Sequence, residues 1–165
     1  MDATRSRTFT WQDPALSVAA LSGKTGLEFL RLMIAGQIPQ PPITQALGFA
    51  LTAADDGFAR FESQPAEYQY NPMGTVHGGM ACTMLDSALG CAVMSTLDAD
   101  TAYTTAQIAV HLTRPVTTST QLMIADAKIV HRGGRIATAE GRLVDERGRV
   151  LAHGTTTCAI FPRAR

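Results

Sequence analysis

The chain has no excess of charge of either sign: fourteen Lys and Arg balance fourteen Asp and Glu over 165 residues. Without a net field it has no general attraction for nucleic acid or an anionic membrane, so a polyanionic ligand must be met by a local group of basic side chains. Cysteine is scarce. Cys82, Cys91 and Cys158 are odd in number and lack CxxC spacing, which argues against a disulfide framework or a thiolate zinc site. They are expected to be small buried hydrophobes in a reducing compartment. The histidines, at 77, 111, 131 and 153, show no metal-ligand spacing. No apolar run suited to a secretion signal follows Met1. The longest stretch free of formal charge except for Asp86, Tyr68 to Leu97, is too broken by Gly, Ser, Thr and that Asp to span a membrane. Internal repeats and low-complexity segments are also lacking. The expectation is a cytoplasmic protein with no metal, no nucleic-acid partner and no membrane partner.

What is present fits one domain with a substantial core: 45% of the residues are hydrophobic and 17% charged. Residues 1–12 resemble a loosely held arm. Asp13-Pro14 offers an N-cap followed by Pro at the first helical position. Thr25 and Glu28 have capping-box spacing, Leu27, Leu30 and Ile34 recur at helical intervals, and Gly36 supplies a stop. The proline cluster in residues 37–42 reads as a connector. Two organisational parts result: residues 1–44, an arm with a helical extension, and residues 45–165, the main domain.

In the second part, strands are expected over residues 48–53 and 58–63, joined by the hairpin signal Asp56-Gly57. Residues 64–76 form a loop. From Gly79 to about Thr96 one helix is apolar on nearly every side, the pattern of a buried helix. Residues 105–112 alternate, with Ala106, Ile108, Val110 and Leu112 on one face and Thr105, Gln107, Ala109 and His111 on the other. Further strands cover about 120–131, 135–144 and 150–160, with turns at Gly133-Gly134 and Asp145-Glu146-Arg147-Gly148. The fold class is α+β, an antiparallel sheet wrapped around one long central helix with an N-terminal helical extension.

The chemistry concentrates in residues 71–86, NPMGTVHGGMACTMLD. A carboxylate inside a buried apolar helix is costly unless it is paired, protonated or functional, so Asp86 is a candidate general base or nucleophile. Its bland alternative is an Asp that caps a local turn or pairs with a distant Arg. Gly78-Gly79 at the helix start bring backbone N–H groups and the positive end of the helix dipole to a place a carbonyl could approach. Asn71 can donate and accept hydrogen bonds near that point, or simply form the turn before Pro72. His77 is a further candidate polar group, though a lone His is more often structural.

The string Asn-x-x-Gly-x-x-His-Gly-Gly, with Asp seven residues after the last Gly, resembles the PaaI-type branch of the hotdog-fold acyl-CoA thioesterases. Thr104 to Pro115 resembles the strand after the hotdog helix, and the C-terminal Ala152-His153-Gly154-Thr155-Thr156 fits as well. The resemblance covers roughly residues 45–162. It implies hydrolysis of an acyl-CoA thioester. Asp86 would be the catalytic carboxylate, and the Gly78 N–H would polarise the thioester carbonyl. Asn71 would place the reacting groups, and Thr105 would assist the attacking water. It further implies a homodimer, often paired into a tetramer, in which Asn71 and Gly78 of one subunit face Asp86 and Thr105 of the other. One departure matters: a related branch carries Thr one helical turn after the carboxylate, where this chain has Gly90.

Coenzyme A is part of the substrate, so no cofactor is expected. Its phosphates would need basic partners, for which Arg132, Arg135 and Arg114 are the candidates, although Arg132 to Arg135 is also an ordinary solvated turn. The competing reading from another class is a non-catalytic acyl-CoA binding or sensing protein of the same fold. A hotdog dehydratase is a third reading, for which no motif is present.

Overall fold

The computed structural model describes residues 4–163. The first three residues of the expected arm and the last two of the expected main domain lie outside the described residues. The elements in order are α1 (Pro14–Ala20), α2 (Gly26–Ile34), α3 (Pro42–Leu47), β1 (Phe49–Asp55), β2 (Phe58–Ser63), a 3-10 turn (Glu67–Gln69), α4 (Gly78–Met94), β3 (Thr101–Leu112), β4 (Met123–Arg132), β5 (Ile136–Asp145) and β6 (Val150–Pro162). The strands form one antiparallel six-stranded sheet in the order β1-β2-β4-β5-β6-β3. It wraps around α4, which contacts every strand. This is the hotdog arrangement.

Local chemistry accounts for most boundaries. Asp13 accepts a hydrogen bond from the Ala15 N–H at 2.9 Å and caps α1. At α2, Thr25 and Glu28 form both halves of the capping box. The buried face of that helix is Phe29, Leu30 and Met33, rotated from the expected Leu27, Leu30 and Ile34; Ile34 is exposed. The start of α2 packs on the end of α4, where a Cβ at Gly26 would meet Met94 O at 1.8 Å, so only glycine fits. The β1–β2 hairpin turns through Asp56-Gly57, with Gly57 at φ +69°.

Two expectations about the N-terminal part are corrected. The proline cluster is a connector only to Pro41, since Pro42 opens α3 with its fixed φ at a first-turn position. The arm is also anchored. Arg7 lies 3.9 Å over the Tyr68 ring and donates to the carbonyls of Gln45 and Ala46, while Arg5 pairs with Glu67 at 2.7 Å. Cation–π contact and two charge-assisted hydrogen bonds hold what composition alone leaves loose.

The core lies between α4 and the inner sheet face. Met84, Leu85 and Leu89 of α4 and Met123 and Leu143 of the sheet have no exposed surface; burying each such side chain is worth about 1.5–3 kcal/mol. The helix is not, however, covered on every side. Cys82, Thr83, Asp86, Ser87, Cys91 and Met94 form a half-buried stripe, and Gly79 is exposed. Covering stops there because β3, beside that stripe, is an edge of the sheet. No helix among the described residues is long and apolar enough to cross a membrane.

Candidate active site

The first part of the site is the turn into α4. Asn71 organises it: its Oδ1 accepts from the N–H of Met73 at 2.9 Å and of Thr75 at 3.3 Å, and its Nδ2 donates to Thr75 Oγ1 at 3.0 Å. The turn-forming role is therefore present, and one Nδ2 hydrogen is left for another acceptor. The His77 N–H donates to Gln69 O at 2.8 Å, which ties the helix start to the 3-10 turn.

His77 is the N-cap of α4. Its Nδ1 accepts from the Gly79 N–H at 2.8 Å, and its carbonyl accepts from the Met80 N–H at 2.9 Å. An Nδ1 that accepts puts the ring proton on Nε2. The side chain is thus engaged in capping. The consequence is at Gly78, whose N–H has no acceptor among the described residues. One free amide remains where the helix dipole is positive. Asn71, His77, Gly78 and Arg114 line a common cavity of about 280 Å³, floored by Ala81, Met123 and Leu143.

The second part lies midway along α4. Asp86 is the single charged residue of that helix. It is half-buried rather than buried, because it belongs to the uncovered stripe, and no cation pairs with it among the described residues. Thr105 Oγ1 donates to Asp86 Oδ1 at 3.0 Å. This contact corrects the expected alternation of β3. A bulge at Ala106, between the Thr105–Cys158 and Gln107–Thr157 pairs, inserts one residue and exchanges the two faces. Tyr103 and Thr105 before it, and Ile108, Val110 and Leu112 after it, all face the helix, whereas His111 pairs with His153 on the outer face.

Three side chains near Asp86 were not foreseen. Cys91 and Tyr103 are half-buried and Cys158 is buried. Burial first, then the charge of Asp86, pushes the Cys91 thiol up to about 12, so it stays protonated. Burial likewise pushes the Cys158 thiol up. The expectation of three buried cysteines holds for Cys158; Cys82 and Cys91 are half-buried in the helix stripe. A sequence signal for Tyr103 did exist: Gly90, one turn beyond Asp86, marks a close approach by another side chain.

The two parts do not meet within one chain. Gly78 and Asp86 are eight residues apart on one helix, about 12 Å along its axis, and Asp86 and Thr105 are not among the residues lining the cavity. Arg114 lines the cavity and donates to Val150 O. Arg132 and Arg135 are exposed in the β4–β5 turn, a strand's length, roughly 30 Å, from the cavity residue Met123. No group of three His, Cys, Asp or Glu able to hold a metal occurs among the described residues.

The sequence model of the thioesterase superfamily matches residues 73–152. No curated protein matches the chain. Among solved structures, a phenylacetic acid degradation-related protein of Ralstonia eutropha JMP134 is 27% identical. It covers 79% of this chain and 98% of its own, with a TM-score of 0.71. The Escherichia coli PaaI protein from the phenylacetic acid degradation operon is 19% identical, covering 74% of this chain and 86% of its own at TM-score 0.67. A hypothetical thioesterase protein with coenzyme A, from Streptococcus pneumoniae TIGR4, is 18% identical, covering 72% and 89% at TM-score 0.64.

Proposed function

The chain is a hotdog-fold member of the thioesterase superfamily, of PaaI type, and from that premise we propose that it hydrolyses acyl-CoA thioesters at a site shared between two copies. The observation that carries this reading is Asp86. It is the lone charge on an otherwise uncharged helix, has no cationic partner among the described residues, and is held by Thr105 Oγ1 at 3.0 Å. A partly buried carboxylate kept without a counter-charge is a group held ready for chemistry.

The thioester carbonyl would place its oxygen on the free Gly78 N–H, with Asn71 beside it. A reacting carbon lies within about 3–3.5 Å of the attacking atom, which the separation of Gly78 and Asp86 along one helix forbids. A second copy therefore supplies Asp86 and Thr105. The edge strand β3 supports this pairing. It has twelve residues, none of them Lys, Arg, Asp or Glu, so it lacks the charges that guard an exposed edge against pairing. The half-buried stripe of α4 lies beside it. Such dimers can pair further into tetramers without altering the site.

In the reaction, Asp86 either attacks the carbon to give a mixed anhydride that water then hydrolyses, or takes a proton from a water as that water bonds to the carbon. In both, coenzyme A departs as a thiolate, a leaving group that needs little acid assistance. No cofactor is invoked. Arg114, Arg132 and Arg135 remain the candidates for the coenzyme A phosphates, which the pantetheine arm holds well away from the thioester carbon at Gly78, so lying outside that cavity does not count against Arg132 and Arg135. Three cysteines without disulfides fit a cytoplasmic setting. The test is release of free thiol from a panel of acyl-CoA thioesters by the wild type and Asp86→Asn. Release by the wild type, and loss of most turnover in the variant with little change in KM, is expected. Wild-type rates in Asp86→Asn would refute the assignment, and binding without release would make the protein an acyl-CoA binder.

A further inference from the structure

Strand β3 passes α4 so that matching residues step along it together. Two strand residues advance about 6.7 Å and one helical turn about 5.4 Å. Thr105 meets Asp86, and Tyr103 meets Gly90, the next turn of the helix. A Cβ at Gly90 would stand 2.9 Å from Tyr103 Oη and 3.2 Å from its Cε2, so glycine is what lets the phenol lie against the helix. The other two tyrosine hydroxyls are satisfied within the chain: Tyr68 donates to Leu47 O at 3.1 Å, and Tyr70 accepts from the Thr118 N–H at 2.8 Å. Tyr103 Oη has no hydrogen-bond partner among the described residues. Burial above all, then Cys91, Cys158 and Asp86, pushes this phenol well above its usual range, so it remains an O–H donor. The residue is half-buried and its hydroxyl is not sealed from solvent, so without a protein partner it takes a water.

We propose that Tyr103 is a further catalytic residue: its hydroxyl holds the attacking water against Asp86 Oδ2, the carboxylate oxygen that Thr105 leaves open. This rests on the reading of Asp86 as the working carboxylate and selects its general-base form. The water oxygen bonds to the thioester carbon as its proton passes to Asp86. Collapse then breaks the C–S bond, and the electron pair leaves on the coenzyme A sulfur, which takes up that proton. Tyr103 forms and breaks no covalent bond; it fixes where the water sits.

Tyr103→Phe removes only the hydroxyl and keeps the ring against Gly90. It is expected to lower kcat for thiol release about 10- to 100-fold, with KM within about twofold and Tm unchanged. Gly90→Ala, by pushing the hydroxyl aside, should lose a similar factor, and adding it to Tyr103→Phe should cost little more. Wild-type kcat in Tyr103→Phe would overturn the proposal. Asp86→Asn, run alongside, keeps the two readings apart: full turnover there defeats the carboxylate itself. A crystal structure of the wild-type protein supplies an arm independent of turnover. A water within hydrogen-bond distance of both Tyr103 Oη and Asp86 Oδ2 is expected, and a dry site, or a phenol bonded to another protein group, would refute the assignment.

Discussion

Replacing Thr105 by Val removes one oxygen from the proposed site and nearly nothing else. Valine has almost the same shape and an equal liking for a strand, so β3, its bulge at Ala106 and its pairing with Cys158 should persist. What goes is the 3.0 Å hydrogen bond to Asp86 Oδ1. Hydrogen bonds to charged groups are worth about 1.5–3 kcal/mol. Asp86 is half-buried, so water can replace part of the lost contact and the lower end applies. A loss of about 1.5–2 kcal/mol in orienting the carboxylate corresponds to roughly a 10- to 30-fold fall in kcat. The assay is continuous thiol release at saturating acyl-CoA, with thermal melting as the control. Thr105→Ser, which restores the oxygen, should recover most of the rate. If Thr105→Val kept kcat within about twofold of wild type while Asp86→Asn was inactive, the carboxylate would not depend on Thr105 for its orientation, and the geometric argument would fail.

Mixing supplies a second test. Asp86→Asn and Asn71→Ala proteins, each impaired alone, should regain about a quarter of wild-type activity when unfolded and refolded together in equal amounts, because half the dimers are hybrids and each hybrid has one intact site. No recovery, with hybrids demonstrated by mass, would place the whole site in one subunit. A third prediction concerns stability. Burial disfavours charge on Asp145, yet hydrogen bonds from the backbone and guanidinium of Arg149 and the backbone of Arg147 outweigh it and hold the carboxyl below its ordinary value. A lowered folded value gives stability that is complete above the unfolded value, about 3.9, and is lost as pH falls through the folded one. Asp145→Asn should therefore lower Tm at pH 7 and flatten its decline below about pH 4; an unchanged acid slope would remove Asp145 from that account.

Much of this architecture is legible in the residues because it depends on local chemistry. The Thr25–Glu28 box, the Asp13 cap, the Asp56-Gly57 turn and the apolar run of α4 each act within a few positions of themselves. What escaped depends on the third dimension. Nothing in the identity of Ala106 announces a bulge, so Thr105 fell on the wrong face of β3. The stripe of α4 reads as core because cysteine, methionine and small residues suit an interior and a half-buried face equally. His77 reads as a candidate reactant, but its ring is committed to the Gly79 amide. Helix α3 is short and hidden by its prolines, and α2 rotates by about one residue to put Phe29 and Met33 inward, a choice made by the sheet it packs on.

The extra residue in β3 also governs how this protein could be re-engineered. Anyone diversifying its pocket by randomising every second position along the strand would change interior contacts on one side of Ala106 and solvent-facing ones on the other. The odd-numbered positions 103 and 105 belong with the even-numbered 108, 110 and 112. Deleting Ala106 would join the two reading frames. Tyr103 and Thr105 would then fall in step with residues 108, 110 and 112 along one regular strand, all still facing the helix, and a library built on every second position would reach the whole interior face.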